Sequence, residues 1–193
     1  MTRELLTDLQ DWRLTLDIEG IAWATFDRAG ESANALGRRP LEELMRIVGR
    51  VEEAAQSGEA VGLVIQSGKD KGFIVGADIR EFDQLTTEAA VIDAIRPVNA
   101  LLDRIERMRV PVVAAIHGVC VGGGLELILA CHYRIATRDD STRIGFPEVK
   151  LGIFPGFNGT ARSIRSAGAL PAMQNMLTGG MIRSTAARGL GLI

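Results

Sequence analysis

The stretch Val110 to Thr137, VPVVAAIHGVCVGGGLELILACHYRIAT, decides how this chain is read. Val110 to Ile116 is an apolar run that reads as a buried strand. Gly122, Gly123 and Gly124 follow and lead into a short apolar helix, Leu125 to Ala130. Tyr133 to Thr137 then returns to strand character. A strand, a glycine turn, a helix and a strand in succession give the rhythm of an α/β layered fold.

The same rhythm extends outward in both directions. Towards the N-terminus, Trp12 to Ile18 alternates apolar with polar residues, and Glu19-Gly20 separates it from Ile21 to Phe26, which predicts a β-hairpin. Pro40 sits at a helix start. Leu41, Leu44, Met45, Val48, Val51 and Ala55 then recur at helical spacing, with Gly58 as the stop. Val61 to Ile65 predicts a strand buried on both faces. Ser67 to Phe82 reads as a long loop. The helix after it carries Ile92, Ile95, Leu101, Leu102, Ile105 and Met108, with Pro97 as a point of kinking or breakage. Beyond the central stretch, Gly145 to Gly159 is a Pro/Gly-rich loop followed by short helical patterns. No internal sequence repeat and no linker is visible, so residues 1–193 read as one domain.

Composition excludes several functions. The chain of 193 residues carries 22 Lys+Arg against 24 Asp+Glu, so no basic excess points to nucleic acid. Aromatics at 5% leave no base-stacking platform. The N-terminal MTRELLTDLQDWR has no apolar signal-peptide core, and no apolar run approaches the roughly 18 residues of a membrane span. The expected location is the cytoplasm. Cys120 and Cys131 read as buried free thiols, and His117 and His132 lack metal-ligand spacing, so no metal site is expected. Gly62 to Asp70, GLVIQSGKD, misses the phosphate-loop spacing, and no GxSxG elbow is present.

Three segments can carry chemistry. In HGVCVGGGLEL, His117 to Leu127, glycines admit a ligand close to the backbone, and the unpaired amides of a helix start can hold a developing oxyanion. Glu126 lies inside that start, either as an acid–base group or as a carboxylate satisfying nearby amides. In GFPEVKLGIFPGFNG, Gly145 to Gly159, Glu148 is either a second acid–base group or an exposed loop carboxylate. In GFIVGADIREF, Gly72 to Phe82, the Gly76-Ala77 step is either a second oxyanion donor or a plain turn.

These segments resemble the crotonase superfamily of enoyl-CoA hydratases and isomerases. GADIREF resembles its oxyanion loop, GVCVGGGLELILAC its glycine turn with the first glutamate, and FPEVKLGIFPGFNGTAR its second-glutamate loop. The wording ACHYRIAT and KLGIFPGFNG is most similar to the N-terminal hydratase domains of multifunctional fatty-acid-oxidation alpha subunits. The resemblance implies a spiral of ββα units in an α/β fold, with two sheets and flanking helices, assembled as a homo-trimer or higher oligomer, or within a β-oxidation complex. It implies hydration of a 2-enoyl-CoA, with coenzyme A as part of the substrate and no separate cofactor. Glu126 and Glu148 would hold the catalytic water, Glu126 activating it and Glu148 supplying the proton at C2. Ala77 and Gly123 would bind the thioester oxygen through their amides. Ala33, Ala35, Asp78 and Ile79 would line the CoA and thioester site, and Pro147 and Gly156 would shape the pocket beside Glu148. Asn158 stands where glycine is usual, and His132 where aspartate is common.

The apolar ending GLGLI stops before the family's C-terminal helices, which predicts a truncated domain. A Δ3-Δ2-enoyl-CoA isomerase and a noncatalytic assembly protein are the alternatives. Possession of both glutamates favours the hydratase.

Overall fold

The computed structural model describes residues 2–193. Ten strands form two sheets. The larger takes β1 (Arg3–Leu6), β2 (Trp12–Leu16), β3 (Ile21–Phe26), β4 (Gly62–Ser67), β6 (Val112–Ile116) and β8 (Tyr133–Ala136), in that order. The smaller runs β10 (Met181–Arg183), β9 (Arg143–Gly145), β7 (Val119–Val121), β5 (Gly72–Ile74). The hairpin forms as expected, with Trp12 opposite Phe26 and Leu16 opposite Ala22. From β3 onward the large sheet is parallel, as is β9–β7–β5 in the small one.

A structural repeat emerges without any repeat in the sequence. β4 joins the large sheet, β5 the small one, and helix α2 (Glu88–Glu106) follows. β6, β7 and α3 (Gly123–Ala130) repeat this order, and β8, β9 and then α4 (Gly159–Ala167) repeat it again. This is the expected spiral of ββα units.

Helix α1 (Arg38–Gln56) buries Leu44, Val48 and Val51 of the spacing read from the sequence together with Ile47, while Leu41, Met45 and Ala55 are half-buried. The second half of α2 buries Leu101, Leu102 and Ile105, while Ile92 in its first half is exposed. Pro97 lies inside α2 without ending it. Helix α3 is buried along its whole length, which explains why its sequence is apolar all round save for Glu126. Two further helices, α5 (Ala169–Thr178) and α6 (Ser184–Gly189), flank the last strand.

Two expectations need correction. The strand after α1 is not buried on both faces: Leu63 and Ile65 are buried, whereas Val64 is half-buried and Val61 exposed. The helices cover the opposite face of the large sheet, so a continuous apolar run was read as two-sided burial. The long loop Ser67 to Phe82 is also structured, holding β5 and a 3₁₀ turn at Ile79–Gln84. Three-residue strands such as β5, β7 and β9 are too short to show a period of two.

Candidate active site

The small sheet assembles the site. β5, β7 and β9 are adjacent and parallel, so their C-terminal ends lie side by side, where ligands bind in open α/β sheets. β5 runs into Gly76-Ala77, β7 into Gly122-Gly123, and β9 into Phe146-Pro147-Glu148. Three distant segments therefore become neighbours for one topological reason.

Local geometry depends on glycine. Gly122 turns β7 into α3 at φ +56°, a left-handed conformation that side chains rarely adopt. A methyl group on Gly124 would fall 2.6 Å from the Ile74 carbonyl oxygen, so α3 can approach β5 only with hydrogen there. One on Gly123 would lie 3.4 Å from the Ala77 nitrogen, which puts the two expected donors beside each other. Among the described residues, neither the Ala77 nor the Gly123 amide donates a hydrogen bond. Gly123 opens α3, so its amide also sits at the positive end of the helix dipole.

The Gly76-Ala77 loop is held from outside. Residues Asn34 to Leu36 run alongside Val75 to Asp78: Val75 N donates to Asn34 O (2.9 Å), Leu36 N to Gly76 O (2.8 Å) and Asp78 N to Leu36 O (3.0 Å). This places Leu36 opposite Ala77 and half-buried Ala33 and Ala35 in the segment that runs along the loop. Buried Asn34, which sequence reasoning passed over, donates through Nδ2 to Phe26 O (2.9 Å) and Phe73 O (3.1 Å). Asp78 is buried, and its carboxylate takes Arg28 at 2.7 Å and Arg80 at 2.8 Å. Its bonds to Arg80 and Arg28 outweigh burial and hold its carboxyl well below the usual range. The Asp78 side chain is thus occupied in anchoring the loop. Ile79 is 55% exposed at the rim.

Glu126 and Glu148 are both buried. Glu126 Oε1 accepts from Phe157 N (2.7 Å) and Gly159 N (2.8 Å). It therefore does satisfy backbone amides, but those of a turn more than 30 residues away and not of its own helix start. Burial pushes its pKa up to about 7, with the nearby Glu148 adding to the rise and the two amides and Arg162 opposing it. Glu148 is not the exposed loop carboxylate of the alternative reading. Its Oε2 is buried and has no partner among the described residues. Burial raises its pKa too. A methyl group on Gly122 would lie 3.3 Å from Glu148 Oε1 and 3.5 Å from Gly76 Cα, so Glu148 faces the turn at Gly122.

Pro147 precedes Glu148 and is half-buried. Gly156 lines a cavity of about 540 Å³ with Asn99, Phe154, Pro155, Asn158 and Thr160. Asn158 adopts φ +66°, so asparagine tolerates the left-handed turn that glycine would serve. His132 accepts from Val112 N (3.0 Å), away from the site. Sequence reasoning also missed the Phe157 and Gly159 amides. The only available signal was the glycine in FNG. Among the described residues, no cluster of His, Cys, Asp and Glu is placed to hold a metal ion, and no helix is long and apolar enough to cross a membrane.

Comparison with known proteins fits this geometry. A family model described as enoyl-CoA hydratase/isomerase matches residues 17–193. The chain is 42% identical over 179 residues to the fatty acid oxidation complex subunit alpha of Aliivibrio fischeri, covering 93% of this chain and 26% of that protein. It is 38% identical over 188 residues to the subunit of the same name from Vibrio campbellii, again covering 26% of it. The chain thus spans about a quarter of the length of the curated relatives it matches. A Geobacillus kaustophilus enoyl-CoA hydratase structure superposes with a TM-score of 0.88 at 27% identity, covering 100% of this chain and 69% of that one. A Bacillus anthracis enoyl-CoA hydratase gives 0.84 at 32% identity, covering 95% and 69%.

Proposed function

The chain belongs to the enoyl-CoA hydratase/isomerase family, and from that premise we propose that it adds water across the 2,3 double bond of a 2-enoyl-CoA to give the 3-hydroxyacyl-CoA of fatty-acid β-oxidation. One observation carries this reading: two buried carboxyl groups lie beside two amides that donate to nothing among the described residues.

Each part has a chemical role. The Ala77 and Gly123 amides take the thioester oxygen and stabilise its negative charge as water attacks C3. Glu126, held by the two turn amides, removes the proton from that water. A base whose pKa is about 7 is matched to neutral pH. Glu148, whose pKa burial raises and whose Oε2 has no partner among the described residues, delivers its proton to C2. The scheme calls on no separate cofactor, and coenzyme A arrives with the substrate.

Ala33, Ala35, Asp78 and Ile79 flank the thioester on one side, Asp78 by anchoring the loop, and Pro147 and Gly156 shape the other. The reading extends to assembly. Phe154, Leu170 and Leu177 are 77%, 78% and 69% exposed, which supports association with further subunits, as a homo-trimer or within a larger β-oxidation complex.

The test is hydration of crotonyl-CoA, followed as loss of absorbance of the conjugated thioester. Turnover that disappears in both E126Q and E148Q, with acyl-CoA binding retained, supports the reading. E126Q that loses hydration but shifts a 3-enoyl double bond points to the isomerase instead.

A further inference from the structure

Arg162 is the largest fully buried side chain in the protein among the described residues, at 1% exposure. It stands on α4, and its guanidinium spreads over three acceptors. Nη1 donates to Phe157 O (2.9 Å), Nη2 to Asp103 (2.7 Å) and Nε to Glu106 (3.2 Å). Both carboxylates belong to the end of α2. The Arg162 backbone amide also closes the turn, donating to Asn158 O at 3.2 Å.

We propose that Arg162 is a positioning residue: it grips the carbonyl of Phe157 so that the amides of Phe157 and Gly159 stay aimed at Glu126. The proposal rests on reading Glu126 as the base. Phe157 is the link, because its C=O takes Arg162 while its N–H gives to Glu126 Oε1.

A purely structural role fits poorly. An apolar side chain would pack α4 on α2 without the desolvation that a buried guanidinium suffers. A planar fork, by contrast, holds one carbonyl and two carboxylates in fixed directions from three separate nitrogens, where a lysine offers a single compact charge. The charges around Glu126 make the position sensitive. Glu148 faces it with the same sign and Arg162 with the opposite one. Asp103 and Glu106 lie beyond Arg162 and are partly exposed, and exposed Arg165 pairs with Glu106. The strands β5 and β7, also packed on α3, carry no charged residue. On α2, which also packs on α3, Arg104 pairs with Glu52 and Arg96 is exposed, so among the described residues Arg162 is the cation that bears on Glu126.

The experiment compares wild type, R162K and D103N in the intact protein. Crotonyl-CoA hydration is measured against pH. The Glu126 carboxyl is titrated by ¹³C NMR of glutamate-labelled protein, its signal assigned with E126Q. In R162K the turn loses its fork, so kcat falls by up to about 10²-fold with KM nearly unchanged, and Glu126 titrates at higher pH. In D103N the guanidinium keeps Phe157 but faces one carboxylate fewer, so Glu126 titrates at lower pH. Opposite shifts support the proposal. An unchanged titration in R162K, or shifts of the same sign in both variants, overturns it. Should R162K fail to fold, D103N decides alone: a downward shift supports the proposal, and no shift or an upward one overturns it. The titration needs no turnover, so it stands or falls separately from the hydratase reading, which E126Q activity tests.

Discussion

Glu126 and Glu148 are the same residue type, both buried, at the ends of neighbouring strands, yet their surroundings differ. Glu126 sits in a helix and receives two amides from a distant turn. Glu148 opens a 3₁₀ turn and keeps one oxygen buried without a partner among the described residues. Amides aimed at a carboxylate favour its charged form, and burial without donors favours the neutral one. The contrast teaches that the backbone around two identical carboxyls sets what each oxygen bonds to, while burial raises the pKa of both.

The comparison breaks most sharply if either glutamate proves dispensable. E126Q and E148Q are each expected to lower hydration by about 10²–10⁴-fold, the usual contribution of a positioned acid or base, with binding of acyl-CoA nearly intact. A crotonyl-CoA assay with either variant near wild-type turnover rejects the pairing.

The next effect concerns the donors that both glutamates work beside. Ala77→Pro removes an N–H and should lower kcat by about 10²–10³-fold, whereas Ala77→Ser keeps it and should be mild. Equal damage in two folded variants, checked by circular dichroism, would argue that the side chain and not the amide matters.

Asp78→Asn sharpens the contrast between site and support. It leaves Arg28, whose side chain is 13% exposed, without its carboxylate. The expected loss is at the lower end of the roughly 3–5 kcal/mol typical of breaking a buried pair, since Arg80 remains solvated. Because Asp78 ionises below its ordinary range in the folded chain, its contribution is present above pH 4 or so and fades as pH falls further. Urea unfolding at pH 7 and pH 3 measures both statements.

The smallest effect is on stability and concerns Glu126. Its pKa rises from 4.5 to about 7 on folding, so the folded state holds its proton longer and stability declines as pH rises through that window. E126Q removes this slope and should be more stable than wild type by about 1–3 kcal/mol at pH 8. Unfolding midpoints between pH 5 and pH 8 that run parallel in both proteins would contradict it.

Much of this was legible in the residues. The hairpin showed as alternation, α1 as helical spacing ended by Gly58, and α3 as an apolar segment after three glycines, because local periodicity is imposed by the backbone geometry itself. Glu126 and Glu148 stood out as carboxylates among apolar and glycine neighbours, whereas Ala33, Ala35, Asp78, Ile79, Pro147 and Gly156 were marked only by the resemblance to the family. Short strands, the exposed face of the large sheet and the first half of α2 did not show, since three residues carry no period and burial depends on what arrives from elsewhere. Tertiary structure alone decided which groups meet. Only the adjacency of β5, β7 and β9 brings Ala77, Gly123 and Glu148 together, and only the turn at Phe157 to Gly159, gripped by Arg162, reaches Glu126. A sequence fixes which side chains a strand or helix can present. Which amide faces which carboxylate is set by how those elements stack, through hydrogen bonds between residues more than 30 positions apart.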